Sequence, residues 1–436
     1  MVFLRKDMVP CLPIILVLPS PPMWSVDFDS VLVHRRPGRR TVSLGVWFAH
    51  GAAHDPSSLA GATHLVEHLT LRRCGGRDRR SLAELLDLLG GDVDAWTSSE
   101  TMGLAVQTTS DALPEALGIL RDAVLEPSFD PVDVNLEKQV ALAEMELVQD
   151  DPAERVGEAI LKAAWGDHPL ATPVIGTKET LESLGERDLA THHRERLLRR
   201  GGMLLAVVGD VDLDQVAGEL EGLPLGPGVG RPHLEEPRWI GDRVRLDRGA
   251  ADQVHVRQAF PGVSICDPTA PAVAVLSRIL GSGHSSRLFQ RLREDEGLTY
   301  DIWSDALMRS VGGLLEIGWA CSPERFSKAW AMVEEEVLRL PTDITDREVD
   351  VAVQGMVRSL QMDAETVGGL ASLDVAEVLE RGRRFDIDGV VAEIRSITPN
   401  QVREAARTIL VPEMMAAAVC GPEDFADTVQ SFKESS

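Results

Sequence analysis

The sequence predicts an α+β protein of two related domains, each a largely antiparallel sheet packed with helices. Three observations predict it. A Pro/Gly-rich stretch, Gly222 to Pro237, reads as a linker near the middle of the 436 residues. On either side of it, short alternating apolar runs interleave with long helical patterns. The order of these elements recurs across the linker at a steady offset: Val208 and Val419 correspond at 211 residues, Pro127 and Pro341 at 214. Such a recurrence across several elements means two copies of one α+β unit. The expected division is an irregular leader over 1–27, a first domain over 28–221, a linker over 222–240, a second domain over 241–425 and a tail over 426–436.

In the first half, Thr41-Val-Ser-Leu-Gly-Val-Trp-Phe48 alternates as a strand should. A helix carrying two histidines follows, then a second helix from Ser81 to Leu89, a strand region from Val93 to Thr108 and an amphipathic helix from Ala112 to Leu125. Asp130-Pro131, an N-cap residue with proline at the first helical position, opens a long helix to Gln149. Met203 to Asp210 is an apolar strand that closes the half. The second half repeats this order. Val254 to Phe260 is a strand, helical segments run through Leu292, and strand-like residues occupy Tyr300 to Ala320. Helices at Pro323–Arg339 and Asp343–Gln361 and a strand from Met415 to Cys420 complete it.

A formal net charge of -25 argues against nucleic acid, which needs clustered cations. Five scattered cysteines without C-x-x-C spacing suggest a reducing compartment and no disulfide framework. The apolar run Cys11 to Leu18 loosely imitates a signal peptide but contains Pro13, is followed by Pro19, Pro21 and Pro22, and lacks a small-x-small cleavage site. No stretch approaches the roughly 20 apolar residues of a membrane span. A cytoplasmic protein with no membrane partner is the expectation.

The candidate chemistry sits at His64, Glu67 and His68, in Gly61-Ala-Thr-His-Leu-Val-Glu-His-Leu-Thr70. On a helix, positions i, i+3 and i+4 share one face. Two imidazoles four apart can bind one zinc ion, and a carboxylate beside them can take a proton from water held there. The order is inverted relative to His-Glu-x-x-His. A histidine pair on a surface helix would read the same way, so a third ligand must come from elsewhere. Glu137 and Glu144, seven apart on the 131–149 helix, share a face with Val140 and Ala141. Carboxylates on an apolar stripe are costly unless paired or metal-bound. The second half has no His-x-x-Glu-His, so only one half can bind metal this way.

Five ordered motifs resemble the M16 peptidase family, the group of pitrilysin, insulin-degrading enzyme and the mitochondrial processing peptidase. They are His64-Leu-Val-Glu-His68, Gly90-Gly-Asp-Val-Asp-Ala-Trp-Thr-Ser98, Glu137-Lys-Gln-Val-Ala-Leu-Ala-Glu-Met145, His168-Pro-Leu-Ala-Thr-Pro-Val-Ile-Gly-Thr177 and Ser285 to Tyr300. The similarity spans roughly residues 28 to 425. It implies a metallohydrolase fold of the LuxS/MPP-like type and a zinc metalloendopeptidase with one Zn2+ per chain. His64, His68 and Glu144 would be the ligands and Glu67 the general base, with Glu137 supporting a ligand histidine from behind. The segment Asp94, Ala95, Trp96 and Thr97 would be the edge strand on which a peptide substrate lies extended. Arg293 and Tyr300, the chain's single tyrosine, match a pair that embraces substrate near the scissile carbonyl.

Two departures stand out. Asp94 replaces the family's usual asparagine, and Leu69-Thr-Leu-Arg-Arg-Cys-Gly-Gly76 replaces the common Met-Leu-Phe-x-Gly-Thr. Because long family members carry both halves of a closed chamber in a chain about twice this length, the resemblance also implies a dimer. A homodimer is the economical form and a heterodimer with a paralogous chain the alternative. A non-catalytic peptide-binding or scaffold subunit is the competing function.

Overall fold

The computed structural model describes residues 30–199, 202–219, 222–225, 231–247 and 252–422, with the residue pairs 16–17 and 433–434. The predicted leader and tail otherwise lie outside the described residues.

The first half runs β1 (Leu16–Val17), β2 (Val31–Arg35), β3 (Thr41–Phe48), α1 (Ala62–Thr70), α2 (Arg79–Leu88), β4 (Val93–Thr97), β5 (Met102–Thr109), α3 (Leu113–Leu125), α4 (Pro131–Asp150), α5 (Pro152–Trp165), α6 (Lys178–Ser183), α7 (Glu186–His192), β6 (Met203–Gly209) and α8 (Leu213–Glu219). The second runs β7 (Arg243–Asp247), β8 (Val254–Pro261), α9 (Ala270–Leu280), β9 (Ile302–Arg309), β10 (Gly312–Cys321), α10 (Phe326–Asp343), α11 (Asp346–Glu365), α12 (Val367–Arg381), α13 (Ile387–Arg395), α14 (Pro399–Ile409), β11 (Ala416–Gly421) and β12 (Lys433–Glu434). Residues 289–295 form a wide π-type turn where the sequence reads as continuing helix. Pro341 sits in the last turns of α10, past the predicted stop at Arg339.

Two six-stranded sheets result, ordered β1-β2-β6-β3-β5-β4 and β12-β7-β11-β8-β10-β9. Five strands follow one order in both, β2-β6-β3-β5-β4 matching β7-β11-β8-β10-β9, so the repeat read from the sequence is a repeat of topology. The sixth strand comes from before the first repeat in one sheet (β1) and after the second in the other (β12). Each sheet is mixed. β3 pairs antiparallel with β5 and β6, and β4 with β5, but β2 runs parallel to β6. The same holds for β8, β9, β10 and β11, with β7 parallel to β11. The β2–β6 and β7–β11 pairs join strands far apart in each half, which long crossovers can connect, and β1 and β12 add parallel to β2 and β7 at the outer edges.

The alternation in β3 is only half of what its burial requires. Val42, Leu44, Val46 and Phe48 pack under α1 and α3, while Trp47 on the opposite face is also buried. The cover on that second face comes from the other half. Val367, Leu370, Ala371, Val375 and Val378 of α12 pack against Leu32, Trp47, Leu204, Ala206 and Val208. Reciprocally, Val156, Ile160, Ala163 and Ala164 of α5 pack on Ala259, Leu314, Ala416, Ala418 and Cys420 of the second sheet. The halves have exchanged a helix. Alanines along β11 let α5 lie close, and the strands read as near-continuous apolar runs because both faces are covered. A buried polar tie reinforces the exchange: Asp374 on α12 accepts from His34 Nε2 of β2 at 2.7 Å and from Arg384 at 2.8 Å.

Candidate active site

Helix α1 is held in place by its apolar side and by a tight start. Leu65, Val66 and Leu69 are buried, leaving His64, Glu67 and His68 on the opposite face. Gly61 precedes the helix with φ 88°, a left-handed conformation, and a Cβ there would stand 2.4 Å from the Ile175 carbonyl oxygen. Gly176 makes the reciprocal approach to Ala60. Two glycines thus lock the start of α1 against the 168–177 motif. The orphan N–H of Thr63 in the first turn is satisfied from a distance by Asp55 Oδ2 at 3.1 Å.

The predicted ligand atoms converge. His64 Nε2 and His68 Nε2 are 3.3 Å apart, and Glu144 Oε2 lies 3.8 Å from the first and 3.7 Å from the second. A tetrahedral zinc ion with bonds near 2.0–2.1 Å needs donor atoms about 3.3 Å apart. The residues fit the ion, and two imidazole lone pairs facing each other at that distance are costly without a cation or proton between them. Burial, then the neighbouring His68, lowers the His64 pKa to about 4, which keeps this ring in the neutral form that binds metal. Two imidazoles and a carboxylate are a donor set that can hold a zinc ion and leave a fourth position for water.

The support behind this set is equally defined. Glu137 Oε2 accepts from His68 Nδ1 at 3.0 Å, which leaves the Nε2 lone pair free for a metal. The other Glu137 oxygen accepts from Arg72 Nη1, and Arg72 Nε donates to Asp133 at 2.8 Å. Asp133 and Glu137 are buried on α4 and Ala141 packs in the core, while Glu144 is partly open. Val140, grouped with that face in the sequence, is instead exposed. Arg72 lies in the segment that departs from the family pattern, and its role was not legible there.

Glu67 brings a carboxylate oxygen within 4.8 Å of a ring nitrogen of each histidine. Burial pushes its carboxyl above the usual carboxylate range, against the pull of the Thr97 hydroxyl and His68. Among the described residues β4 pairs only with β5, so it is the edge of its sheet. Its side chains alternate. Ala95 packs toward α1, whereas Asp94 and Trp96 line a cavity of about 530 Å³ on the far face with Trp47 and Gln107. Asp94 and Trp96 therefore flank the strand rather than face the histidines.

A second cavity of about 470 Å³ opens beside His64 and Glu144 and is walled by Glu154, Glu158, Leu161, Leu170 and Arg309. Burial, then Glu154, raises the Glu158 carboxyl. Glu154 and Glu158 come from the exchanged helix α5 and Arg309 from β9 of the second sheet. None was singled out by sequence reasoning, because only the exchange of helices brings them to the histidines.

Arg293 and Tyr300 are brought together with each other, not with the histidines. The Arg293 guanidinium lies 4.8 Å over the Tyr300 ring, which is 80% exposed. Tyr300 precedes β9 while Arg309 ends it, a span of roughly 30 Å in extended chain. Within one chain the pair stands at the far end of that strand from the metal pocket.

Fold and donor set together define a two-domain zinc-peptidase architecture, and the chain belongs to peptidase family M16. Residues 30–178 match the model of insulinase (peptidase family M16), and residues 186–356 match the peptidase M16 inactive domain. A Mycobacterium leprae relative, "Uncharacterized zinc protease ML0855", is 30% identical, with 90% of this chain and 89% of that protein covered. The Bacillus subtilis "Uncharacterized zinc protease YmxG" is 26% identical over 89% of this chain and 95% of its own. The fold matches a solved Pseudomonas fluorescens peptidase M16 inactive domain with TM-score 0.82 at 22% identity, covering 90% and 95% of the two chains. A Helicobacter pylori protease matches with TM-score 0.80 at 16% identity, covering 90% and 97%. Among the described residues, no helix is long and apolar enough to cross a membrane.

Proposed function

We propose that this chain is a zinc-dependent endopeptidase that cleaves peptides or short unfolded polypeptides laid along the free edge of β4. The observation that carries the reading is the triangle of His64 Nε2, His68 Nε2 and Glu144 Oε2, whose edges of 3.3, 3.8 and 3.7 Å suit one tetrahedral ion. Zinc bound there supplies a Lewis acid that brings the pKa of water at that point toward neutrality. Glu67, its carboxyl raised by burial, takes the proton of the attacking water and returns it to the leaving amine. Glu137 fixes the His68 tautomer, and Arg72 fixes Glu137. The unpaired backbone of β4 binds main chain and is indifferent to most side chains. Glu154 and Glu158 in the adjoining cavity favour a basic side chain, in keeping with the net charge of -25.

The active form in this reading is a dimer. Tyr300 stands exposed and Arg293 half-buried beside it, both away from their own metal pocket, which suits a pair that serves the site of a second copy. Val132, Leu136, Val140 and Leu147 leave an apolar row open on α4, the helix that carries Glu144, as a surface for a partner to cover. The experiment is peptide-library cleavage with and without chelator, followed by mixing an Arg293→Ala chain with a Glu67→Gln chain. Chelator-sensitive cleavage, and recovery of activity in the mixture, are expected. Intact peptides under every metal load would leave a non-catalytic peptide-binding subunit as the function, and no recovery on mixing would remove the shared site.

A further inference from the structure

A second group of metal-ligating side chains lies behind the start of α1. His50 follows β3, Asp55 lies in the loop before α1, and His192 ends α7, so three separate elements meet there. His50 Nε2 and His192 Nε2 lie 3.4 and 3.3 Å from the same oxygen, Asp55 Oδ1. One donor atom from each residue falls within 4.8 Å of the other two. The group is sealed: His50 and His192 are each 3% exposed, and the Asp55 side chain is fully buried.

Hydrogen bonding alone does not satisfy this group. Thr63 Oγ1 and N donate to the Asp55 carboxylate, and Thr63 Oγ1 lies 2.9 Å from His192 Nε2. That accounts for Thr63, Asp55 and one nitrogen of His192. Both ring nitrogens of His50 and Nδ1 of His192 are buried with no hydrogen-bond partner. A buried imidazole with two unpaired nitrogens costs several kcal/mol on the scale of about 1–3 kcal/mol per unsatisfied group. Among the described residues the only basic side chains in ion-pair contact with Asp55 are the two histidines. Burial holds His192 down at about 4, in the neutral form, and a cation at Nε2 would replace its hydrogen bond to Thr63 Oγ1, the ring proton moving to the unpartnered Nδ1. Neighbouring His54 is a bystander, because its Nδ1 accepts from the Gly51 N–H and so its proton sits on Nε2.

We propose that His50, Asp55 and His192 form a second, structural metal site for a divalent first-row cation of the zinc class. The separations of 3.3 and 3.4 Å about Asp55 Oδ1 match the roughly 3.3 Å between donors of a tetrahedral zinc ion. A cation there neutralises the buried carboxylate and occupies the free His50 nitrogen in one stroke. It also has a mechanical consequence. Asp55 caps the first turn of α1 through Thr63, the residue immediately before His64. An ion that fixes Asp55 fixes the register at which α1 presents the first ligand. It would also clip the β3 exit loop to α7, elements 137 residues apart in sequence at Asp55 and His192.

The test counts metal in full-length protein in which each site is removed in turn. The His64→Ala/His68→Ala variant, loaded with Zn2+ and then dialysed, should retain one zinc per chain by mass spectrometry, and with Co2+ it should give the intense visible bands of a tetrahedral site. Wild type should hold two zinc ions and His50→Gln one, with a melting temperature below that of wild type at the same zinc load. A His64→Ala/His68→Ala protein that folds and binds neither metal overturns the proposal, leaving a metal-free histidine network. If His50→Gln fails to fold, the loading of His64→Ala/His68→Ala still decides. The outcome is independent of peptide cleavage, so loss of the catalytic reading and loss of this one are read from different variants.

Discussion

The two halves share one five-strand topology, but only the first carries the histidines and carboxylates of the candidate site, and their matching helices show how little has to change. On α1 the face away from the core holds His64, Glu67 and His68. On α9, its counterpart, Val275, Leu276, Ile279 and Leu280 are all buried, and Arg278 points to α11. A Cβ at Gly355 of α11 would stand 2.8 Å from the Arg278 guanidinium, so an arginine against a glycine fills space where the first half has imidazoles against carboxylates. The buried Val134 of α4 and Val349 of α11 each lie three residues into the helix. From that register, Glu137 and Glu144 correspond to Ala352 and Ser359. The sheet and its helical cover are therefore indifferent to the chemistry. The second half contributes cover, through α12, and one wall of the metal pocket, through Arg309.

The largest effect that would sharpen this contrast is loss of the base. Glu67→Gln keeps the shape and removes the proton acceptor. Cleavage should fall by roughly 10²–10⁴-fold while bound zinc, measured on the same sample, stays unchanged. Normal turnover by this variant would break the assignment of the chemistry to α1.

Next in size is the tie between the halves. Burial pushes the Asp374 carboxyl up, but the His34 hydrogen bond and the Arg384 charge outweigh it and hold the group below its ordinary value. Removing one partner of a buried ion pair costs about 3–5 kcal/mol, so Asp374→Ala should lower the denaturation midpoint sharply. The sign of the pH effect follows from the lowered value. The stabilisation is complete above the unfolded-state value near 4 and is lost as pH falls through the folded-state value. Acid titration of wild type and Asp374→Ala should therefore converge at low pH. A constant gap between them across that range would mean that the halves are held by apolar packing alone.

A smaller effect belongs to the support of the ligands. Glu137→Gln should weaken zinc binding by about 10–100-fold, because a neutral amide oxygen is a weaker acceptor for His68 Nδ1–H than the carboxylate and lends the ligand ring less basicity. Arg72→Met should move affinity in the same direction by a lesser amount. Competition with a metal indicator reads both, and unchanged affinity in Glu137→Gln would reduce Glu137 to a packing residue.

Much of this was legible in the sequence, and the reason lies in local signals. The strand β3, the capped start of α4 at Asp130-Pro131 and the i, i+3, i+4 spacing on α1 are each written within a dozen residues. The pairing of Glu137 with His68 and of Glu144 with both histidines needed the family resemblance, since no local pattern joins α4 to α1. The exchange of α5 and α12 was not legible. Amphipathicity says that a helix has an apolar face, never which sheet covers it. For the same reason Glu154, Glu158 and Arg309 were missed, and Asp94 and Trp96 were assigned to the strand without the side they face. His50, Asp55 and His192 were invisible as a group because they come from three elements and follow no spacing.

The smallest predicted effect tests the part of the comparison that depends on the exchange. Glu158 reaches the pocket only because α5 has crossed to the second sheet, and it lies on the pocket wall with Glu154. Glu158→Gln should lower kcat/KM for peptides with a basic residue at the preferred position by about fivefold, an ion-pair contribution near 1 kcal/mol, and leave neutral peptides unaffected. Burial raises the Glu158 carboxyl, so its charge appears at higher pH than an ordinary glutamate's. Wild-type preference for basic over neutral peptides should rise with pH through that ionisation, and the Glu158→Gln profile should be flat. Equal loss on both peptide classes would instead mean that α5 shapes the pocket without reading charge, and that the crossing of helices is an arrangement of packing only.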